Sequence, residues 1–98
     1  MATVQRTENY QSLTAQTPNK VTSVTSTSAV VLSANGNRLE CWVQNISASG
    51  NIWISLGSAA TANSGLLLGP GQTWSATTFT GAVWAVSDGT VLAGAIEV

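Results

Sequence analysis

Histidine is missing from the 98 residues, and charge is nearly missing: three Lys or Arg and four Asp or Glu make up 7% of the chain, against roughly 25% in ordinary soluble domains. Without histidine, the Ser/His and Cys/His nucleophile pairs are excluded, and with them the commonest general base. Zinc sites built on histidine or on several cysteines are excluded as well, since Cys41 is the single cysteine. The cations Arg6, Lys20 and Arg38 are too few for a phosphate-binding stripe, so nucleic acid is not an expected partner. The acids Glu8, Glu40, Asp88 and Glu97 are scattered, with no spacing for a carboxylate pair or a calcium site. The composition therefore reads as a non-enzyme without metal or cofactor.

Other absences bear on location. No apolar run approaches membrane-spanning length, and Met1–Arg6 has no apolar core or cleavage pattern, so neither a membrane nor a signal peptide is expected. Cys41 has no internal disulfide partner. Its place between Leu39 and Val43 suggests a buried thiol and fits synthesis in a reducing compartment. Asn45-Ile46-Ser47 is a glycosylation sequon by letter; without a secretion signal it reads as chance.

What is present is alternation. Arg38–Asn45 places Leu39, Cys41 and Val43 on one face and Arg38, Glu40, Trp42 and Gln44 on the other. Asn51–Gly57 repeats the pattern, with Ile52, Ile54 and Leu56 opposite Trp53 and Ser55. Period two marks half-buried strands. The small residues 46–50 between them suit a hairpin loop. Pairing Val43 with Ile52 satisfies both faces and stacks Trp42 on Trp53; a jelly roll that sends the two strands to different sheets removes that pairing.

Further turn signals recur every 8–12 residues. Asn35-Gly36 and Ser87-Asp88-Gly89-Thr90 read as hairpin turns, and Gly69-Pro70-Gly71 as a type II turn. Between them lie Ala29–Leu32, a buried Leu66–Leu68, Gln72–Thr78 with Trp74 and Ala76 on one face, Ala82–Val86 apolar on both faces, and Thr90–Val98. Residues 57–65 are too small and polar for a core and read as a loop. The spacing predicts an all-β antiparallel sandwich or jelly roll of about 7–8 strands over residues 20–98. Residues 1–19 show no period and end near Pro18. They read either as a frayed terminus or as an extended arm that orders against a neighbour through Val4, Tyr10 and Leu13.

Of the four tryptophans, Trp74 and Trp84 fall in phase with Ala76, Ala82 and Val86 and are expected in the core. Trp42 and Trp53 share a polar face. Three readings stand there: cover by a second sheet or the arm, a protein interface, or a stacking platform for sugar rings. The interface fits best, because polar groups for a sugar are not concentrated nearby and few charges keep copies of the chain apart.

The run Leu39–Ser47, then Ile52–Gly57, then Ser64–Trp74, and the late segment Thr80–Val98 together resemble small virion proteins of tailed bacteriophages. In those, a strand ending in V-Q-N is followed by one reading V-x-V-S-L-G, a leucine-rich edge and a late hairpin. The resemblance covers residues 38–98 and concerns strands and turns rather than a catalytic signature. It implies a β-sandwich used as capsid decoration or cement, a head-fibre base or a tail adhesin, commonly a trimer. The implied partner is the major capsid protein, and the implied location is the virion, with synthesis in the host cytoplasm. A glycan-binding adhesin or lectin-like module is the alternative.

Overall fold

The alternating segments all form strands, and no helix intervenes. The structure is a computed structural model and is described here for residues 17–98, with side chains from Lys20 onward. Eight strands follow in order: β1 (Thr17–Val24), β2 (Ala29–Leu32), β3 (Glu40–Asn45), β4 (Ile52–Leu56), β5 (Leu66–Leu68), β6 (Thr73–Thr77), β7 (Val83–Ser87) and β8 (Val91–Glu97). They build two antiparallel four-stranded sheets, β1-β8-β3-β6 and β2-β7-β4-β5. Six of the seven connections cross from one sheet to the other, and only β4–β5 joins neighbours. This is the jelly-roll arrangement of the sandwich class expected from the turn spacing.

The crossing corrects several local expectations. β3 and β4 lie in different sheets, so Val43 does not pair with Ile52, nor Trp42 with Trp53. Trp42 lies between Ser75 and Ile96, and Trp53 between Leu67 and Val86. The turns at Asn35-Gly36 and Ser87–Thr90 likewise reverse the chain across the sandwich rather than within a sheet. Turn chemistry sets the reversal; whether the next strand hydrogen-bonds to the last one or packs over it depends on what each strand must bury. Gly69-Pro70-Gly71 does form the expected type II turn, with Gly71 at φ 78° and the Gln72 amide donating to the Gly69 carbonyl at 3.0 Å.

One core fills the space between the sheets. Val24, Cys41, Val43, Val91, Ala93 and Ala95 from one sheet meet Val31, Leu32, Ile52, Ile54, Leu68, Val83 and Ala85 from the other. Trp74 and Ala76 pack against this core as expected. Trp84 does not: it faces outward with Val86. The apolar β7 is a central strand, flanked by β2 and β4, which explains its need for apolar residues on both sides. Leu66 and Leu67 are exposed, contrary to the expected buried strand, because β5 is an edge and only Leu68 reaches the core. β1 begins at Thr17, three positions before the expected domain start, and carries Pro18 on an edge strand where a missing N–H is tolerated.

Two buried polar groups close the ends of the sandwich. At one end Arg38, expected on the solvent side, is 2% exposed. Its guanidinium donates to Glu97 Oε2 from Nε (3.2 Å) and Nη2 (3.0 Å), to the Phe79 and Gly81 carbonyls from Nη1, and to the Ser33 carbonyl from Nη2. All five donors are thereby used, and Asn35 Nδ2 donates to the other Glu97 oxygen, Oε1, at 2.7 Å. Leu39, expected inside, is pushed out to 45% exposure by this inward arginine. At the opposite end Asn45 is fully buried and donates to the Gly50 and Leu68 carbonyls while accepting from the Ser47 amide. With both amide hydrogens engaged, the sequon asparagine of the folded chain offers no free nitrogen to a glycan.

Candidate docking face

Period two puts Trp42 and Gln44 on the outward side of β3, and Gly94 and Ile96 on the outward side of β8. The strand register assembles these into rows: Trp42 beside Ile96, and Gln44 beside Gly94, which is beside Val21 on β1. Gly94 has no side chain, so the sheet surface dips there. A groove of about 420 Å³ results, lined by Lys20, Val21, Trp42, Gln44, Ile46, Thr73 and Ile96, with Gly94 and Ala95 beneath. Val21 (60% exposed), Ile46 and Leu92 extend an apolar surface around it. Trp42 itself is half-buried. Contiguous apolar surface of this kind, rimmed by polar groups, marks a binding site more often than chance exposure.

Leu92, Gly94 and Ile96 share the outward face of β8. That face points outward because the inward positions belong to Val91, Ala93, Ala95 and Glu97. Small alanines suit the inner side of an interior strand facing the bulkier Ile52, Ile54 and Leu32.

Trp53 has a different setting. It lies on the outward side of the other sheet, yet only 8% of it is exposed. Val86 and Trp84 flank it, and Ala60 from the connection 57–65 lies against it. The Ala60 amide donates to Ser28 Oγ at 2.8 Å, holding the connection over the sheet. Gly65, at φ 88°, begins the return strand so close to the Ile54 carbonyl that an added Cβ would lie 2.7 Å from its oxygen. Trp53 is thus covered by its own chain and does not share a surface with Trp42. Val4, Tyr10 and Leu13 lie outside the described residues.

Cys41 is buried, as expected. Burial raises its thiol pKa; Arg38 pulls in the opposite direction, Glu97 adds to the rise, and a hydrogen bond with the Ala76 backbone lowers it. The thiol form is therefore favoured over the thiolate. Asp88 accepts from the Asn51 amide (3.1 Å) and side chain (3.3 Å), which binds the β7–β8 turn to the start of β4. Among the described residues no three His, Cys, Asp or Glu side chains are grouped as metal ligands would be, and no helix is long and apolar enough to cross a membrane. Compared with known protein families, curated proteins and solved structures, the chain matches none.

Proposed function

We propose that the chain is a non-enzymatic structural protein of a virion, a capsid decoration or cement subunit that docks on other virion proteins. The outward face of β1-β8-β3-β6 is its docking surface, and the N-terminal segment supplies a second contact, with the major capsid protein as the partner class. The observation that carries this reading is the open apolar groove at Trp42 on a chain with too few charges to keep such a face in water. Half-buried tryptophan amid aliphatic side chains is the composition of interface hot spots. The virion setting rests on the strand-and-turn resemblance over residues 38–98.

A glycan-binding adhesin is the second reading, favoured by the size of the hollow and by Gln44 and Thr73 at its rim. Against it, Gln44 Nε2 already donates to the Gly71 carbonyl at 3.3 Å, and no carboxylate lines the groove. The test is rebinding. Virions stripped of this chain are incubated with the native chain or with Trp42→Ala, and a glycan array is run beside them. Native rebinding that is lost in the variant is the expected result. Absence of the chain from virions, or a Trp42-dependent glycan signal, overturns the proposal.

A further inference from the structure

We infer that Asn35 is a site of spontaneous deamidation, shielded in the folded chain and open to reaction in the unfolded one. Time spent unfolded is thereby recorded as a carboxylate that this end of the sandwich does not accept. Asn35-Gly36 is the one Asn-Gly pair in the sequence. In such a pair the glycine has no side chain to keep its nitrogen from the asparagine carboxamide. That nitrogen gives up its proton to solvent and adds to Asn35 Cγ. The N–Cγ bond forms, the Cγ–Nδ2 bond breaks, and Nδ2 takes up a proton and leaves as ammonia. Water then opens the cyclic imide at either carbonyl, leaving an aspartate or an isoaspartate. Nothing is oxidised or reduced, and water is the one co-reactant.

The fold holds every polar atom of Asn35. Its main-chain N–H donates to the Thr80 carbonyl at 2.8 Å, and its carbonyl accepts from the Arg38 amide at 3.1 Å. Nδ2 donates to Glu97 Oε1 at 2.7 Å, and Oδ1 accepts from the Asn37 amide at 3.0 Å. Ring closure has to draw Cγ onto the Gly36 nitrogen and pull Nδ2 away from the buried Glu97. A carboxamide pinned at both ends therefore reacts only when this end of the sandwich opens. The product suits the fold worse than the reactant. An oxygen in place of Nδ2 has no proton to donate and sets a second negative charge against the Glu97 carboxylate. Arg38 already pairs with Glu97 and has all five donors committed. The added charge is left uncompensated and opposes refolding. Gly36 separates this chemistry from the needs of the turn. Its φ is not positive, and an added Cβ would meet nothing within 4 Å. Backbone and packing both accept alanine there; ring closure favours glycine.

Mass spectrometry of the peptide holding residue 35 tests it, on the full 98-residue chain kept native or kept in denaturant at one pH and temperature. The expected result is deamidation about a hundredfold slower or more in the native chain, since only the opened fraction of molecules reacts. In denaturant, Gly36→Ala should slow the reaction. In chemical denaturation, Gly36→Ala should keep the midpoint of the parent while Asn35→Asp lowers it. Equal rates in native and denatured chain overturn the shielding. A Gly36→Ala chain that deamidates as fast as the parent in denaturant overturns the site, and an Asn35→Asp midpoint equal to the parent's overturns the record it leaves. An Asn35→Asp chain that fails to fold is the expected effect at its largest, and the comparison of native with denatured parent stands independently of it.

Discussion

Each outward face of the sandwich carries a tryptophan on an interior strand, Trp42 on β3 and Trp53 on β4, and the two have opposite fates. Trp53 lies under its own chain, against Ala60. Trp42 lies beside a hollow floored by Gly94. Neighbouring residues do not explain this, because Ile96 beside one and Val86 beside the other are similarly apolar. Connectivity does. Six connections are consumed in crossing between the sheets; the β4–β5 connection alone returns to its own sheet, and residues 57–65 have length to spare for folding back over Trp53. Among the described residues no such connection covers the β1-β8-β3-β6 face, and Trp42 stays half-buried beside the groove.

The comparison can be broken most severely through the frame that both faces share. Arg38→Ala leaves the Glu97 carboxylate buried without its guanidinium and unties the carbonyls of Ser33, Phe79 and Gly81, at an expected cost of about 3–5 kcal/mol. Denaturant melts should show that loss, and Cys41, buried in the native chain, should react faster with a thiol reagent.

Next in size, Trp53→Ala should destabilise the isolated chain by about 3 kcal/mol, as truncation of a buried aromatic does. Association per folded molecule should be unchanged. A variant as stable as the parent would put Trp53 on the surface and erase the contrast between the faces. Trp42→Ala should behave in reverse, lowering folding stability by about 1 kcal/mol or less while removing association. Equal destabilisation by the two variants counts against the distinction.

The mildest change sharpens it. Gly94→Ala adds a methyl group 3.4 Å from Ile46 Cγ2, an ordinary contact, at a backbone geometry open to any residue. Chemical denaturation should detect a change of under about 1 kcal/mol, in either direction. Because the methyl group rises into the groove, binding at this face should weaken even so.

Much of the fold was legible along the chain. Period two in Glu40–Asn45 and Ile52–Leu56, the turn chemistry of Gly69-Pro70-Gly71, and the lack of any helical stretch determine an antiparallel all-β sandwich, because alternation and turn preference act between residues close in sequence. The absence of histidine and the scarcity of charge are properties of the sequence itself and narrow the function by elimination. Tertiary structure decided the rest. Arg38 reads as a surface residue until Glu97, 59 positions away, and three backbone carbonyls surround it. Trp42 and Trp53 read as equivalent until the crossings assign their strands to different sheets and one spare connection covers one of them. Even the groove depends on register, which places Gly94 between Val21 and Gln44. Strand periodicity tells each residue which side of its own strand it occupies; which partner that side meets is a long-range choice, made when two sheets bury their apolar faces together.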